Sequence, residues 1–184
     1  MDLKFKRKHM EKAYESTLVE AYKDYLETPD GREVCYDYLH HKTGGGAGIL
    51  MVDEDECVYL VRLYRNSIDR VTLEIPAGAY SGSDESGRDC AMREVEEETG
   101  MIPGKLIHLS NIVSSIGTYD EQTDIFIGLN LSKGTQKLDP NEFMECVKLP
   151  ITEALSLIEQ GEIVDSKTVL SVYAYLYMKS AGKL

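Results

Sequence analysis

The chain reads as an α+β fold for three reasons: the order of its periodic segments, a helix closed by a C-cap glycine in their middle, and a composition that supports a core. Hydrophobic residues make up 42% and charged residues 28% of the 184, which suits one soluble domain of ordinary size. Strand-like stretches come first, then one helix, more strands and two closing helices. Helices about a mixed sheet satisfy that order.

The first strands are expected at Thr17–Glu27 and Arg32–His40, both rich in Tyr, Val and Leu. Between them Pro29-Asp30-Gly31 makes a turn, Pro fixing φ and Gly accepting a positive φ. The pair is an antiparallel hairpin behind a charged, basic leader. Residues 1–43 therefore form an N-terminal arm and hairpin, and residues 44–184 the main domain. The glycine-rich run Gly44–Gly48 lacks the Lys-Ser/Thr of a phosphate loop and is expected to be a flexible connection into the core. Ile49–Val52, an acidic turn at Asp53–Glu56 and Cys57–Arg65 form a second strand–turn–strand unit, and Thr72–Ile75 is a short strand ending at Pro76.

From Arg88 to Thr99 the chain is dense in helix formers, with Gly100 placed for a left-handed C-cap. Ala91, Met92 and Val95 mark its inward face. Strands follow at Leu106–Val113, Asp124–Leu131 and Glu142–Leu149, the last stopped by Pro150. Helices close the chain at Ile151–Glu159 and Ser166–Lys179, with Asp165 or Ser166 as N-cap of the second.

With 32 acidic and 20 basic residues the formal charge is −12, which disfavours nonspecific nucleic-acid binding. No run approaches the roughly 18 apolar residues of a membrane span. The charged N-terminus lacks a signal peptide's apolar run, so a cytoplasmic protein with no membrane partner is expected. Cys35, Cys57, Cys90 and Cys146 are far apart with no C-x-x-C pair, which argues for reduced, mostly buried thiols over a zinc or disulfide framework. His40 and His41 read as strand-end surface residues, and the twelve tyrosines as packing, one or two of them free to stack on a base since the chain has no Trp.

The chemistry concentrates in Arg93-Glu94-Val95-Glu96-Glu97-Glu98-Thr99-Gly100-Met101. Glu94, Glu97 and Glu98 stand at helical spacings that crowd three carboxylates, each like-charge pair costing a few tenths of a kcal/mol, roughly. They also sit toward the helix C-terminus, where the macrodipole disfavours anions. A bound cation offsets both penalties, and hard oxygen ligands suit Mg²⁺ or Mn²⁺. On this run alone, a solvated acidic face partnered by Arg93 is the alternative.

The longer segment resembles the signature of the Nudix hydrolases: a glycine, five residues, a glutamate, seven residues, then R-E-U-x-E-E-x-G-U, U being a bulky aliphatic. Seven residues separate Glu85 from Arg93, and every fixed position to Met101 matches. Gly78 is separated from Glu85 by six residues, so the loop Ala79–Asp84 is one residue longer than the pattern. Leu73-Glu74-Ile75-Pro76-Ala77-Gly78 is similar to the lead-in of the ADP-ribose and nucleoside-diphosphate-sugar pyrophosphatases, Tyr64-Arg65 to the end of their preceding strand, and Asp165-Ser166-Lys167-Thr168 to their last helix start. Ser115-Ile116-Gly117-Thr118-Tyr119-Asp120-Glu121 resembles the loop S-P-G-x-x-D/S-E, with Ile116 in place of the proline associated with ADP-ribose specificity.

The resemblance implies a Nudix α/β/α sandwich and Mg²⁺-dependent (or Mn²⁺-dependent) cleavage of a diphosphate. It places metal ligands at the Ala77 carbonyl, Glu94, Glu97 and Glu98, for two or three ions. Arg65, Glu74 and Gly78 would bind substrate. Arg93 would orient the carboxylates, and Glu121 or a helix glutamate such as Glu97 would accept the proton. It further implies ADP-ribose as substrate, giving AMP and ribose 5-phosphate, and a homodimer exchanging its N-terminal arm. Another nucleoside-diphosphate sugar such as GDP-mannose, or a non-catalytic nucleotide-sugar sensor on the same fold, is the alternative. Glu121 also reads as an exposed loop acid, and Arg65 and Arg70 as ordinary surface cations.

Overall fold

The computed structural model describes residues 2–184. Three strands open the chain, β1 (Lys6–Glu15), β2 (Val19–Glu27) and β3 (Glu33–His41), and pair in the order β1-β2-β3. Both pairings are antiparallel, and the turn expected at Pro29–Gly31 joins β2 to β3, with Gly31 at φ 84°. The expected two-stranded hairpin therefore carries a third strand, made by the basic leader. No apolar alternation announces β1, because it is exposed along its whole length. Cross-strand ion pairs hold it instead. Arg7 grips Asp24 through Nε (2.9 Å) and Nη2 (2.7 Å), and Lys12 Nζ reaches Glu20 at 2.6 Å.

The remaining elements are β4 (Gly45–Val52), β5 (Cys57–Arg65), β6 (Arg70–Glu74), β7 (Ala77–Ala79), α1 (Gly87–Thr99), β8 (Met101–Val113), β9 (Gln122–Lys133), β10 (Met144–Pro150), α2 (Ile151–Glu159) and α3 (Ser166–Ser180). A mixed seven-stranded sheet runs β10-β5-β4-β9-β8, with β6 beside β5 and β7 beside β4. By contacts the chain falls into two compact units, one of the stretch up to Gly45 with Val113–Gln122, the other of Gly46–Ile112 with Thr123–Leu184.

Side-chain alternation along β4, a strand buried throughout, builds the sandwich of the larger unit. Ala47, Ile49 and Met51 meet Cys90, Ala91 and Val95 of α1, together with Phe126. Leu50 and Val52 point the other way, into a cluster with Ile151 and Ala154 of α2 and Val172 and Tyr175 of α3. A strand with both faces covered reads as a continuous apolar run, which Ile49–Val52 is. The sheet is thus a wall between α1 and the α2–α3 layer, an α+β sandwich as the sequence predicts.

The glycine run is not a connection, because Gly45–Val52 is strand throughout. A side chain at Gly46 would place its Cβ 2.0 Å from the Gly78 carbonyl oxygen. These glycines let β7 lie close on β4. The cysteines are all free, but only Cys90 is buried; Cys35 is exposed and the other two are half-buried. His41 is buried too, at 4% exposure, although its place at the end of β3 suggested the surface.

Candidate active site

Helix α1 begins where Ser86 Oγ accepts from the Asp89 N–H (3.1 Å) and ends at Gly100, whose φ of 69° lets its N–H reach the Glu96 carbonyl. These caps fix the helix register, and with it which carboxylates turn inward. Cys90, Ala91, Glu94, Val95 and Glu98 form the buried face. Glu94 and Glu98 therefore lie one turn apart beside the apolar contact with the sheet, while Glu97 stays half-exposed.

Strand β7 receives both. The Ala77 N–H donates to Glu98 Oε2 at 3.1 Å. A Cβ built on Gly78 would sit 2.1 Å from the Glu94 carboxyl carbon, so the missing side chain makes the space that Glu94 fills. Burial, followed by the neighbouring charge of Glu94, pushes the Glu98 carboxyl up to about 8. Burial also raises Glu94, against the pull of Arg93. Among the described residues no cation pairs with Glu98, whose one side-chain hydrogen bond is that from Ala77.

Arg93 organises the other side. Its Nε and Nη2 take both oxygens of Glu85 (2.9 and 3.0 Å), Nη1 donates to Glu94 (2.5 Å) and Glu97 (3.3 Å), and Nη2 also reaches the Ala79 carbonyl (3.1 Å). The arginine holds the Glu85 carboxyl down to about 2. Despite the longer loop at Ala79–Asp84, Glu85 thus meets Arg93 two-pronged. Lysine has no such fork. Arg93→Lys should cost about 1–3 kcal/mol of stability, read as a lower urea midpoint, and an unchanged midpoint would show that the fork is not needed.

Arg65 and Glu74 form a second fork, Nε to Oε1 at 2.8 Å and Nη2 to Oε2 at 2.7 Å, with Thr72 Oγ1 adding a 2.6 Å bond to Oε1. Burial works against the Glu74 anion, but these partners bring its carboxyl below the usual range. Glu74 is thereby a support for Arg65, while the arginine faces a cleft of about 360 Å³ with Tyr64, Ala77, Glu98, Glu142 and Phe143. Glu142 was not singled out as a site residue by the sequence, which reads it as the start of the strand Glu142–Leu149; it lies instead in the loop before β10, which begins at Met144. Its charge contributes to raising both Glu94 and Glu98. Arg70 lies away from this cleft's lining and donates to the Glu162 carbonyl (2.8 Å). Glu121 belongs to the smaller unit, where Ser114 Oγ donates to it at 3.3 Å.

Among the described residues no three acidic, His or Cys side chains converge as a ready-made metal cage. Glu94 and Glu97 accept from Arg93 instead. The donor types nevertheless fit a hard divalent cation. Two buried carboxylates without enough positive charge, set against the backbone at Ala77–Gly78, are oxygen ligands whose ionisation a cation would restore.

Residues 42–171 match the family model described as NUDIX domain. The chain is 31% identical over 173 residues to an ADP-ribose pyrophosphatase of Bacillus subtilis (strain 168), covering 93% of this chain and 91% of the relative. It is 31% identical over 175 residues to a methanol dehydrogenase activator of Bacillus methanolicus, covering 94% and 92%. Identity to a GDP-mannose pyrophosphatase of Citrobacter koseri is 31% over 163 residues, covering 78% and 82%. In fold it is similar to a crystal structure of an ADP compounds hydrolase, with a TM-score of 0.84, 19% identity and both chains fully covered.

Proposed function

The chain belongs to the Nudix family as a pyrophosphohydrolase, and from that premise we propose that it cleaves the diphosphate of ADP-ribose to AMP and ribose 5-phosphate. One observation carries this reading: Glu94 and Glu98 are buried side by side against Ala77–Gly78, with Glu98 in the same cleft as Arg65. Relatives named for ADP-ribose and GDP-mannose narrow the substrate to a nucleoside-diphosphate sugar.

Nudix hydrolases generally use divalent metal ions. The Ala77 carbonyl, Glu94, Glu98 and, at the rim, Glu97 would hold two or three Mg²⁺ or Mn²⁺ ions. Such ions neutralise a diphosphate and polarise its phosphoryl oxygens. The protein's own residues do the rest. Arg65, held by Glu74, meets a substrate phosphate, and Gly78 keeps the backbone low enough for close approach. Arg93 holds the carboxylates in place. A carboxylate takes the proton of the attacking water: Glu121 or Glu97 from the sequence pattern, or Glu142, which lines the cleft.

The three-stranded sheet is the proposed dimerising arm of a homodimer, and residues 44–184 the proposed catalytic domain. Phe5, Met10, Tyr14 and Tyr36 of this N-terminal part are exposed apolar side chains that a partner copy would cover. The proposed location is the cytoplasm. No helix among the described residues is long and apolar enough to cross a membrane.

A second reading comes from the relative named as a methanol dehydrogenase activator, matched at the same identity as the pyrophosphatase. That name describes action on another protein. The experiment is a hydrolysis panel with Mg²⁺ and with Mn²⁺, covering ADP-ribose, GDP-mannose, UDP-glucose, dinucleoside polyphosphates and nucleoside triphosphates. ADP-ribose is expected to be cleaved fastest, and only with metal. If GDP-mannose leads, the reaction class stands and the substrate assignment falls. If nothing turns over, the nucleotide-sugar sensor replaces the enzyme.

A further inference from the structure

The loop that carries Glu121 is fastened along the end of β3. Between β8 and β9 the chain turns over Ser115, whose carbonyl accepts from the Thr118 and Tyr119 N–H groups (3.0 and 2.9 Å). It then runs beside β3 in a single parallel bridge, Leu39 opposite Tyr119. Leu39 N donates to the Thr118 carbonyl at 2.8 Å and Asp120 N to the Leu39 carbonyl at 3.2 Å. Gln122 N reaches the Gly44 carbonyl at 3.0 Å. Asp120 closes this seam. Its Oδ2 accepts from the Tyr38 hydroxyl (2.5 Å) and pairs with His40 Nδ1 (2.7 Å), while Oδ1 accepts from the His41 backbone N–H (2.8 Å). Three residues of β3, Tyr38, His40 and His41, thus grip one carboxylate.

Neighbouring residues on an extended chain point to opposite sides. With Asp120 turned into β3, Glu121 is delivered the other way. There Ser114 Oγ lies 3.3 Å from Glu121 Oε2, and Nε2 of the buried His41 lies 4.0 Å from Oε1. The other nitrogen of His41 is tied to Thr43 Oγ1 at 3.1 Å, which fixes the ring. Ile116, where the family pattern has a proline, is 88% exposed and packs on little. Loop order therefore lies in the Asp120 seam, eighty positions of sequence away from its His40 partner.

We propose that Asp120 is a positioning residue, held by Tyr38, His40 and His41, that fixes the carboxylate of Glu121 for work on the substrate. The proposal rests on the reading that Glu121 serves the hydrolysis. A group misplaced by about 1 Å can lose on the order of 100-fold in rate. Asp120→Asn keeps the size but cannot accept from all three donors, so Glu121 would wander while the rest of the chain stays folded.

The test pairs steady-state hydrolysis of ADP-ribose with Mg²⁺ and backbone hydrogen exchange. Asp120→Asn is expected to lose about 10- to 100-fold in kcat/KM and to speed amide exchange at Asp120 and Gln122. In the Glu121→Gln background the same change should add no further loss, because there is nothing left to place. Tyr38→Phe removes one donor and should give the same pattern at smaller amplitude, which keeps the test open should Asp120→Asn fail to fold. Losses that simply multiply in the double variant would mean a general structural role and overturn the proposal. Unchanged exchange would overturn it as well. If Glu121→Gln itself is as active as wild type, or if the wild type turns over no compound, the service of Glu121 falls; the exchange result then stands alone on whether Asp120 anchors the loop.

Discussion

Glu98→Gln should lower turnover by on the order of 10²–10³-fold, the scale found when a preorganised charge-stabilising group is removed, while the folded protein survives. The two halves of that expectation have one cause. Burial and the nearby Glu94 charge push the Glu98 carboxyl up to about 8, so without metal it is mostly protonated at neutral pH, and a cation is what would draw out the anion. Gln keeps the shape and can still accept the Ala77 N–H bond of 3.1 Å, but it brings no charge to attract a cation. Stability without metal should therefore match wild type, whereas stabilisation by added Mg²⁺ should shrink. A cation that binds only the folded state raises stability by RT ln(1 + [L]/Kd), about 2.7 kcal/mol at a hundredfold excess over Kd. Activity within tenfold of wild type, roughly 1.4 kcal/mol in barrier terms, together with an undiminished Mg²⁺ shift, would remove Glu98 from the site.

The helix that carries this site was legible because its signals are local. Gly100 after it and the carboxylate spacing within it each act over one turn, while the Ser86 N-cap emerged only from the structure. Strand β5 and helix α2 were legible for the same reason, set off by an acidic turn and by Pro150. What sequence did not reveal depends on partners far along the chain. Strand β1 has no buried face, and its ion pairs with β2 resemble ordinary surface charge until the register aligns Lys6 with Glu27. Glu142 enters the cleft from a loop that no local rule singles out. His41 owes its burial to the fold around the end of β3, which two adjacent histidines do not announce. Even within α1 the spacing placed Glu94, Glu97 and Glu98 on one face, but packing divides them into a buried pair and a half-exposed third.

The glycine run was misread for a related reason, and it yields the largest expected loss of stability. Gly46→Ala should destabilise the protein by about 3 kcal/mol or more, at the upper end of what overpacking costs. Backbone conformation is not the issue, since Gly46 is not among the glycines with positive φ. Space is. Strand β4 pairs with β7 so that Gly46 faces Ala79, Ala47 faces Gly78 and Gly48 faces Ala77. A methyl at Gly46 would meet the Gly78 carbonyl oxygen at 2.0 Å and the Ala79 Cα at 2.9 Å, and backbone cannot swing aside as a side chain can. At Gly48 the nearest atom is Ile75 Cδ1 at 3.0 Å, the end of a movable side chain. Gly48→Ala should accordingly cost less, about 1 kcal/mol. Urea midpoints of the two variants test that order. Because β7 supplies the Ala77 N–H to Glu98 and the room that Glu94 occupies, Gly46→Ala should also cut activity at denaturant-free stability sufficient to keep it folded. Equal midpoints for the two variants would mean that β7 does not press on β4 as closely as these distances require, and the glycines would revert to a mere connection.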